Sequence, residues 1–323
     1  MTRLRIKTPS RLHFGLLGWG PHSTRQFGGL GLMIDEPGIE LEAESSASWQ
    51  AEGPLASRAL EVAERISDRL ADAGTPPPAA RLVIRSAPDE HIGLGVGTQL
   101  SLAVTRVLWA LAGRDEPPIR ELANLSGRGL RSGIGLHGFE RGGLIVDGGR
   151  GPSGSPPPLL AHYDFPEKWG ILVVMPSRLA GLHGSEEIQA FSTLPPIPEA
   201  TTDRLCSLLL LGLLPALIDR DIASFGVALA EIQRRVGECF APAQGGIFAN
   251  PEVAAIVDEL QQQGLHGVGQ SSWGPTLYGF SAEPEARRDE IVDRLRARLG
   301  LDAASLFWTR ANRSGAMLEW IET

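Results

Sequence analysis

Hydrophobic and polar positions follow two different periods along this chain, and the periods predict where strands and helices lie. Alternation with a period of two over residues 3–8 and 38–44 indicates strands with one buried face. Apolar residues at helical spacing over residues 55–73 predict a helix, which three following prolines end. Residues 98–111 are apolar nearly all round, which is typical of a buried helix. The same reasoning predicts strands at 81–85, 170–175, 276–280, 305–310 and 316–321, a strand pair or hairpin at 139–146, and helices at 119–130, 184–192, 203–219, 221–237, 252–263 and 284–299.

Strands and helices interleave in both halves of the chain, and this order predicts an α+β fold with two subdomains. A loop rich in Gly, Ser and Pro at residues 148–158 is the best candidate for the boundary. We therefore expect an N-terminal domain over residues 1–160 and a C-terminal α+β domain over residues 161–323. The element order of the second half favours a ferredoxin-like arrangement of split βαβ units.

Length and composition exclude several classes of protein. Two cysteines among 323 residues are too few for a disulfide scaffold or a four-thiolate zinc site. A formal net charge of -8 argues against a protein that coats nucleic acid. No apolar run of signal-peptide length follows Met1, and the most apolar stretch, residues 205–218, is shorter than the roughly 20 residues that cross a bilayer. We expect a cytoplasmic, soluble protein that binds no membrane, with residues 205–218 in a buried helix.

Residues 93–101, Gly-Leu-Gly-Val-Gly-Thr-Gln-Leu-Ser, lead alternating glycines directly into a predicted helix. Such a loop lets backbone amides approach an anion closely, and the helix dipole favours negative charge there. It is not a Walker loop, because no Lys-Ser/Thr pair follows, and a tight turn capped by Thr98 is the structural alternative. The candidate phosphate-binding residues are Gly93, Gly95, Val96, Gly97, Thr98, Gln99 and Ser101.

Two more segments set polar residues beside glycines. In residues 10–15, Ser-Arg-Leu-His-Phe-Gly, a strand would place Arg11 and His13 on one face, where they suit an anionic substrate. The alternative is an exposed pair on an ordinary strand. Residues 267–274 read as a loop that leads into the strand at 276–280, with a simple hairpin turn as the alternative. The candidate substrate-binding residues of this loop are Gln270, Ser271, Ser272 and Trp273.

The fourth segment, residues 131–143, places two arginines, a histidine and a glutamate among five glycines. Arg131 and Arg141 are each suited to bind a phosphate or carboxylate through two N–H groups. Glu140 and Asp147 offer oxygen ligands of the kind that Mg²⁺ takes. The alternative is an Arg–Glu pair at the surface.

In this order, the segments resemble the three motifs of the GHMP kinase superfamily, which includes galactokinase, homoserine kinase and mevalonate kinase. The resemblance spans nearly the whole chain and implies a GHMP-type first half. Two departures stand out. The central loop reads Gly-Val-Gly-Thr-Gln where the kinases usually have Gly-Leu-Gly-Ser-Ser, and residues 133–137 lack the catalytic aspartate that many of the kinases carry. An alcohol nucleophile would therefore lack its expected base.

Residues 10–15, 93–100, 131–135, 139–143 and 146–149 are instead similar to a non-kinase branch, the β-ribofuranosylaminobenzene 5′-phosphate synthase family. That family joins phosphoribosyl pyrophosphate to 4-aminobenzoate or 4-hydroxybenzoate and releases carbon dioxide and pyrophosphate, an early step of methanopterin biosynthesis. The resemblance implies Mg²⁺ as cofactor and these small molecules as partners. From residue type and motif position we expect the aromatic ring to stack on Trp273, and a homodimer is a possible assembly. The candidate catalytic residues are Arg11, His13, Arg131, Glu140 and Arg141, with Arg11 or Arg131 on the aromatic carboxylate and Arg11 favoured.

Two other functions stay open at this point. The chain could be an ATP-dependent small-molecule kinase of the GHMP type, and the missing aspartate counts against that function. It could also be a non-catalytic ligand-binding relative, and the dense polar glycine loops count against that one.

Overall fold

The computed structural model describes residues 3–72, 74, 76–176 and 184–321. Within these ranges the chain forms eleven strands and ten α-helices, with a π-helical turn at Leu209–Leu213 between α6 and α7. In chain order they are β1 (Arg3–Gly18), β2 (Phe27–Ser45), β3 (Gln50–Glu52), α1 (Ala56–Asp72), β4 (Ala80–Ser86), α2 (Val96–Leu111), α3 (Ile119–Ser126), α4 (Ile134–Arg141), β5 (Leu144–Asp147), β6 (Leu159–Tyr163), β7 (Gly170–Val174), α5 (Gly184–Thr193), α6 (Glu199–Leu208), α7 (Leu214–Ile218), α8 (Ile222–Gln244), α9 (Pro251–Gln262), β8 (His266–Gln270), β9 (Leu277–Ser281), α10 (Glu285–Leu299), β10 (Leu306–Thr309) and β11 (Met317–Ile321).

The first sheet has seven strands in the order β11-β1-β2-β4-β3, with β5 also paired to β2 and β6 paired to β5. The strands β1 and β2 run much further than the alternating segments 3–8 and 38–44 that predicted them. The second half of β1 and the first half of β2 are buried on both faces, so polar and apolar positions do not alternate in these parts of the strands. Helices α2 and α4 pack against both strands, and α2 is buried nearly all round, as its sequence predicts.

The second sheet has four antiparallel strands in the order β10-β7-β9-β8. Along the chain its elements run strand, helices, strand, strand, helix, strand, which is the ferredoxin-like split βαβ pattern. The α+β class and the ferredoxin-like second half are therefore confirmed.

The prediction of a strand pair or hairpin at residues 139–146 is wrong. Residues up to Arg141 belong to helix α4, and only β5 is extended. The helix packs so closely on β2 that a Cβ on Gly138 would lie 2.2 Å from the sulfur of Met33. Gly138 therefore serves helix-to-strand contact, which a local hydrophobic pattern does not show.

The prediction of a loop over residues 267–274 is also wrong in its first half, because residues up to Gln270 form strand β8. A Cβ on Gly269 would lie 2.5 Å from the side-chain oxygen of Gln233 on α8. The glycine is needed for the close approach of helix and strand, although it reads as a turn signal in the sequence. The turn itself comprises the residues from Ser271 onward.

Among the described residues, the helical stretch Glu199–Ile218 is long and apolar enough to cross a membrane by length and composition. Its buried leucines belong to the main hydrophobic core, as expected for the buried helix predicted at 205–218. The opposite face is exposed at Leu210, Leu211 and Ile218, so the burial is one-sided.

The division at residue 160 stays a prediction. Two strands of the first sheet lie across it: β6 spans residue 160 and pairs with β5, and β11 returns from the end of the described chain to pair with β1.

Candidate active site

A cleft of about 480 Å³ is the place where the four predicted segments meet. Its walls come from β1, the loop before α2, the loop between α3 and α4, helix α8 and the turn between β8 and β9. The predicted site residues that line it are Arg11, His13, Gly93, Gly95, Val96, Gly97, Thr98, Arg131, Gln270, Ser272 and Trp273.

Backbone and hydroxyl groups join three of these segments. The amide of His13 donates to the Ser271 hydroxyl at 2.9 Å, and that hydroxyl donates to the carbonyl of Gly93 at 2.7 Å. The amide of Ser272 donates to the carbonyl of His13, and the amide of Arg11 to the carbonyl of Leu94. Ser271 itself is fully buried, so its role is to hold the walls of the cleft together.

The glycine loop ends at Gly95, the N-cap residue of α2. Its φ of 73° is a left-handed backbone conformation that glycine adopts most easily. The amides of Thr98 and Gln99 donate to the carbonyl of Gly95. The first two helical amides, those of Val96 and Gly97, have no acceptor within the helix because of helix geometry. An anion at this helix end would therefore be bound by Val96 and Gly97, and the predicted amides of Thr98 and Gln99 are already engaged.

Arg11 and His13 line the cleft from strand β1. A Cβ on Gly95 would be 3.3 Å from Nε of Arg11, so the arginine packs against the glycine loop. His13 accepts a hydrogen bond from the amide of Gly15 at Nδ1. Burial, and then the positive charge of Arg11, hold the pKa of His13 well below its usual range. The ring is therefore neutral at pH 7 and carries its proton on Nε2, as a hydrogen-bond donor.

One end of the cleft is rich in positive charge that the sequence motifs do not include. Arg58 and Arg128 line this end together with Glu90. A Cβ on Gly97 would lie 3.6 Å from both the Arg128 guanidinium and the Glu90 carboxylate. Arg128 stands between two glycines shortly before the fourth segment. This placement is the feature of the sequence from which Arg128 could have been predicted as a site residue.

The other end of the cleft is aromatic. Trp273 packs edge-on against Phe240 and Phe191, with ring centroids 4.5 and 5.6 Å away. The Arg131 guanidinium lies 5.3 Å from the centroid of the Phe191 ring. Both phenylalanines line the cleft, and both lie on helices where they look like ordinary core residues, so the sequence offered no signal for them.

Three predicted site residues are buried next to the cleft and contact residues of its walls, but do not line it themselves. Gln99 is buried and donates to the carbonyl of Gly135 at 2.9 Å. Ser101 is fully buried and accepts from Nε of Arg128 at 3.1 Å. Ser271 joins the segments as described above.

The predicted metal and catalytic residues Glu140, Arg141 and Asp147 do not line the cleft. Glu140 and Arg141 pair with each other at 2.9 Å at the end of α4, the alternative that the sequence left open.

The structure gives Asp147 a purely structural set of contacts. It is fully buried and accepts hydrogen bonds from the amides of Gly133 and Gly149 and from the Ser132 hydroxyl. Burial raises the pKa of Asp147, and these hydrogen bonds oppose the rise. The pair Glu140 and Asp147 therefore does not fit a resident Mg²⁺. Across residues 3–176 and 184–321, apart from positions 73 and 75, no group of three His, Cys, Asp or Glu side chains is placed to hold a metal ion.

Comparison with known proteins identifies relatives along almost the whole chain. Residues 213–300 match the family described as GHMP kinases C terminal. The chain is 34% identical over 302 residues to a beta-ribofuranosylphenol 5′-phosphate synthase of Methanothermobacter thermautotrophicus, covering 87% of this chain and 89% of that protein. It is 31% identical over 338 residues to the protein of the same name from Archaeoglobus fulgidus, covering 98% and 99%.

Solved structures share the fold at much lower identity. The homoserine kinase of Cytophaga hutchinsonii has a TM-score of 0.70 at 16% identity, covering 98% of this chain and 97% of that one. The mevalonate diphosphate decarboxylase of Enterococcus faecalis has a TM-score of 0.66 at 14% identity, covering all of both chains. These likenesses confirm the GHMP-type fold.

Proposed function

This chain belongs to the beta-ribofuranosylphenol 5′-phosphate synthase family, and from that membership we propose that it joins phosphoribosyl pyrophosphate to 4-hydroxybenzoate with release of carbon dioxide and pyrophosphate. The relatives' name describes a phenol, which favours the hydroxy acid over 4-aminobenzoate. We place the reaction in the cytoplasm, in methanopterin biosynthesis.

The observation that carries the proposal is the two-ended cleft. The glycine loop, Arg58 and Arg128 lie at one end, and Phe191, Phe240 and Trp273 at the other. Helix amides and arginines suit the phosphates of the sugar substrate. Aromatic side chains suit a flat ring. Arg11 packs on the glycine loop, and the carbonyl of His13 accepts the amide of Ser272 beside Trp273, so we place the new bond next to these two residues.

The proposed reaction conserves electrons without a strong base. The ring carbon that bears the carboxylate bonds to ribose C1 while the bond from C1 to the pyrophosphate oxygen breaks, and that electron pair leaves with pyrophosphate. The bond to the carboxylate then breaks as carbon dioxide leaves, and its electron pair restores the aromatic ring. The hydroxyl group keeps its proton. Cations beside the glycine loop would stabilise the charge that pyrophosphate gains.

Arg131 is the better placed of the two arginines that were candidates for the aromatic carboxylate. It contacts Phe191 at the aromatic end, whereas Arg11 packs on Gly95 at the phosphate loop. We therefore assign Arg131 to the carboxylate and Arg11 to the sugar phosphates, in the reverse of the order that the sequence favoured.

Magnesium enters this proposal as part of the substrate, carried on the pyrophosphate group. Mg²⁺ in such complexes commonly takes one or two protein carboxylates along with phosphate oxygens and water. Glu90 is the carboxylate at the phosphate end of the cleft.

The test is an incubation with phosphoribosyl pyrophosphate and carboxyl-labelled 4-hydroxybenzoate. We expect labelled carbon dioxide and pyrophosphate in equal amounts. Arg131→Gln should raise KM for the aromatic acid by at least about tenfold, the loss expected for one charge-assisted contact of roughly 1.4 kcal/mol. Release of ADP from ATP and a small alcohol, with no carbon dioxide from the labelled acid, would instead identify a kinase.

A further inference from the structure

Arg128 reaches the amino end of helix α2 from the loop between α3 and α4. Flanking Gly127 and Gly129 have φ values of 68° and 77°, so the chain turns sharply on both sides of the arginine. A Cβ on Gly97 would lie 3.6 and 3.9 Å from the two terminal nitrogens of Arg128. The guanidinium therefore stands beside Gly97, in the first turn of the helix.

A hydrogen bond to Ser101 fixes the side chain of Arg128. Its Nε donates to the hydroxyl of Ser101 at 3.1 Å, and Ser101 is fully buried within α2. A bond through Nε leaves N–H groups on both terminal nitrogens for other acceptors, because the planar guanidinium carries five donors. Ser101 thus orients the group that faces the cleft.

Positive charge accumulates around this position. Burial, and then the charges of Arg58 and Arg65, lower the pKa of Arg128, while Glu90 opposes the change. An arginine stays protonated in such surroundings. Glu90 lies 4.0 Å from Arg58, which also pairs with Glu61. A group of neighbouring cations at a helix amino end is a strong site for a polyvalent anion.

We propose that Arg128 binds the pyrophosphate group directly through its two terminal nitrogens and that Ser101 is its positioning residue. This inference rests on the proposed function for the identity of the substrate. The chemistry named is that of a diphosphate, whose oxygens accept two parallel N–H groups from one guanidinium while the amides of Val96 and Gly97 bind others.

The test measures binding of inorganic pyrophosphate to the full chain by calorimetry, without the aromatic acid. Arg128→Gln should weaken binding at least about tenfold, and Arg128→Lys should recover only part of the loss because lysine lacks the fork. Arg294→Gln removes the same charge on the exposed face of α10 and should change affinity less than about twofold. Thermal melting confirms that each variant is folded.

A double-mutant cycle tests the role of Ser101. Ser101→Ala should weaken pyrophosphate binding in the wild-type background and have no further effect in Arg128→Gln, because the serine acts through the arginine. Equal losses in both backgrounds would assign Ser101 a general structural role and overturn its assignment as a positioning residue.

The outcomes separate this inference from the proposed function. Unchanged pyrophosphate affinity in folded Arg128→Gln overturns the inference, even if the chain forms product normally. Pyrophosphate binding that depends on Arg128, in a chain that releases no carbon dioxide from 4-hydroxybenzoate, supports the inference and contradicts the proposed function.

Discussion

The hydroxyl of Ser271 donates a hydrogen bond to the carbonyl of Gly93 at 2.7 Å, across 178 residues of sequence. The same oxygen accepts the amide of His13. One buried side chain therefore fixes the relative positions of β1, the glycine loop and the turn after β8.

Replacing Ser271 with alanine should lower the free energy of unfolding, because both hydrogen bonds of the hydroxyl are lost. Ser271→Ala leaves the buried amide of His13 and the part-buried carbonyl of Gly93 without their partner, which costs about 1–3 kcal/mol of unfolding free energy. Urea unfolding measures the change, with Ser153→Ala in the exposed loop after β5 as the control. Equal stability of the two variants would show that another group replaces the hydroxyl.

Side-chain volume at Gly97 should control access to the helix end. A Cβ there meets Arg128 and Glu90 at 3.6 Å, an ordinary contact, whereas the branched side chain of valine extends further into the cleft. We expect Gly97→Val to weaken binding of phosphoribosyl pyrophosphate at least about tenfold, and Gly97→Ala to weaken it less. Both variants should unfold within about 1 kcal/mol of the wild type, since Gly97 lies in a helix where alanine is preferred. Identical affinities of the wild type and both variants for phosphoribosyl pyrophosphate would show that the glycine loop does not bind its phosphates.

Loss of the aromatic ring at residue 191 should affect one substrate only. Phe191→Leu removes the ring beside Arg131, a contact of about 0.5–1 kcal/mol at partly exposed sites. We expect KM for 4-hydroxybenzoate to rise about threefold to fivefold while KM for phosphoribosyl pyrophosphate stays constant. The control, Phe27→Leu, alters a ring that packs on Phe191 but does not line the cleft. A change in both KM values would indicate a general distortion of the cleft.

The outer face of the first sheet should be the acid-sensitive part of the fold. Hydrogen bonds from Arg85 at 2.7 Å and Arg5 at 2.9 Å lower the pKa of Glu42 to about 2. The unfolded chain binds a proton more readily, so this stabilisation is complete above about pH 4.5 and is lost as the pH falls towards 2. Its size is on the order of 3 kcal/mol, since each pKa unit corresponds to about 1.4 kcal/mol.

Urea unfolding at several pH values tests this dependence. The stability difference between wild type and Glu42→Gln should be large at pH 7 and should shrink steadily below about pH 4.5. Glu283→Gln, at an exposed position before α10, provides the comparison. A difference that stays constant from pH 7 to pH 2.5 would show that the charge of Glu42 adds no stability.

Sequence reasoning identified best the segments in which a residue type is required by a local backbone feature, such as a helix start or a strand end. Gly95 needs a positive φ at a helix start, and Ser271 and Trp273 follow the end of a strand, so glycines and hydroxyls marked these places. Arg141 shows the limit of this reasoning. It lies close to glycines in the sequence, as Arg131 does, but it is at the end of α4 and pairs with Glu140. Residue type alone does not distinguish the two.

Other features of the cleft depend on packing between distant elements, and no local pattern encodes them. Phe191 and Phe240 reach the cleft because α5 and α8 meet beside Trp273. Asp147 was a candidate metal ligand with Glu140 because both offer carboxylate oxygens, yet the fold surrounds it with backbone amides. Such amides satisfy a buried carboxylate in place of a cation.

Strand β11 has a consequence for how the chain is made. It pairs with β1 from Arg3 opposite Ile321 to Lys7 opposite Met317. The described strands begin with β1 and end with β11, so this side of β1 has no strand partner until residues 317–321 have been synthesised. Open edges recruit strands from other molecules. A chain that stops before residue 317 would therefore present the unpaired backbone of Arg3–Lys7 as a template for aggregation, whereas the finished sheet ends in the five-residue strand β11.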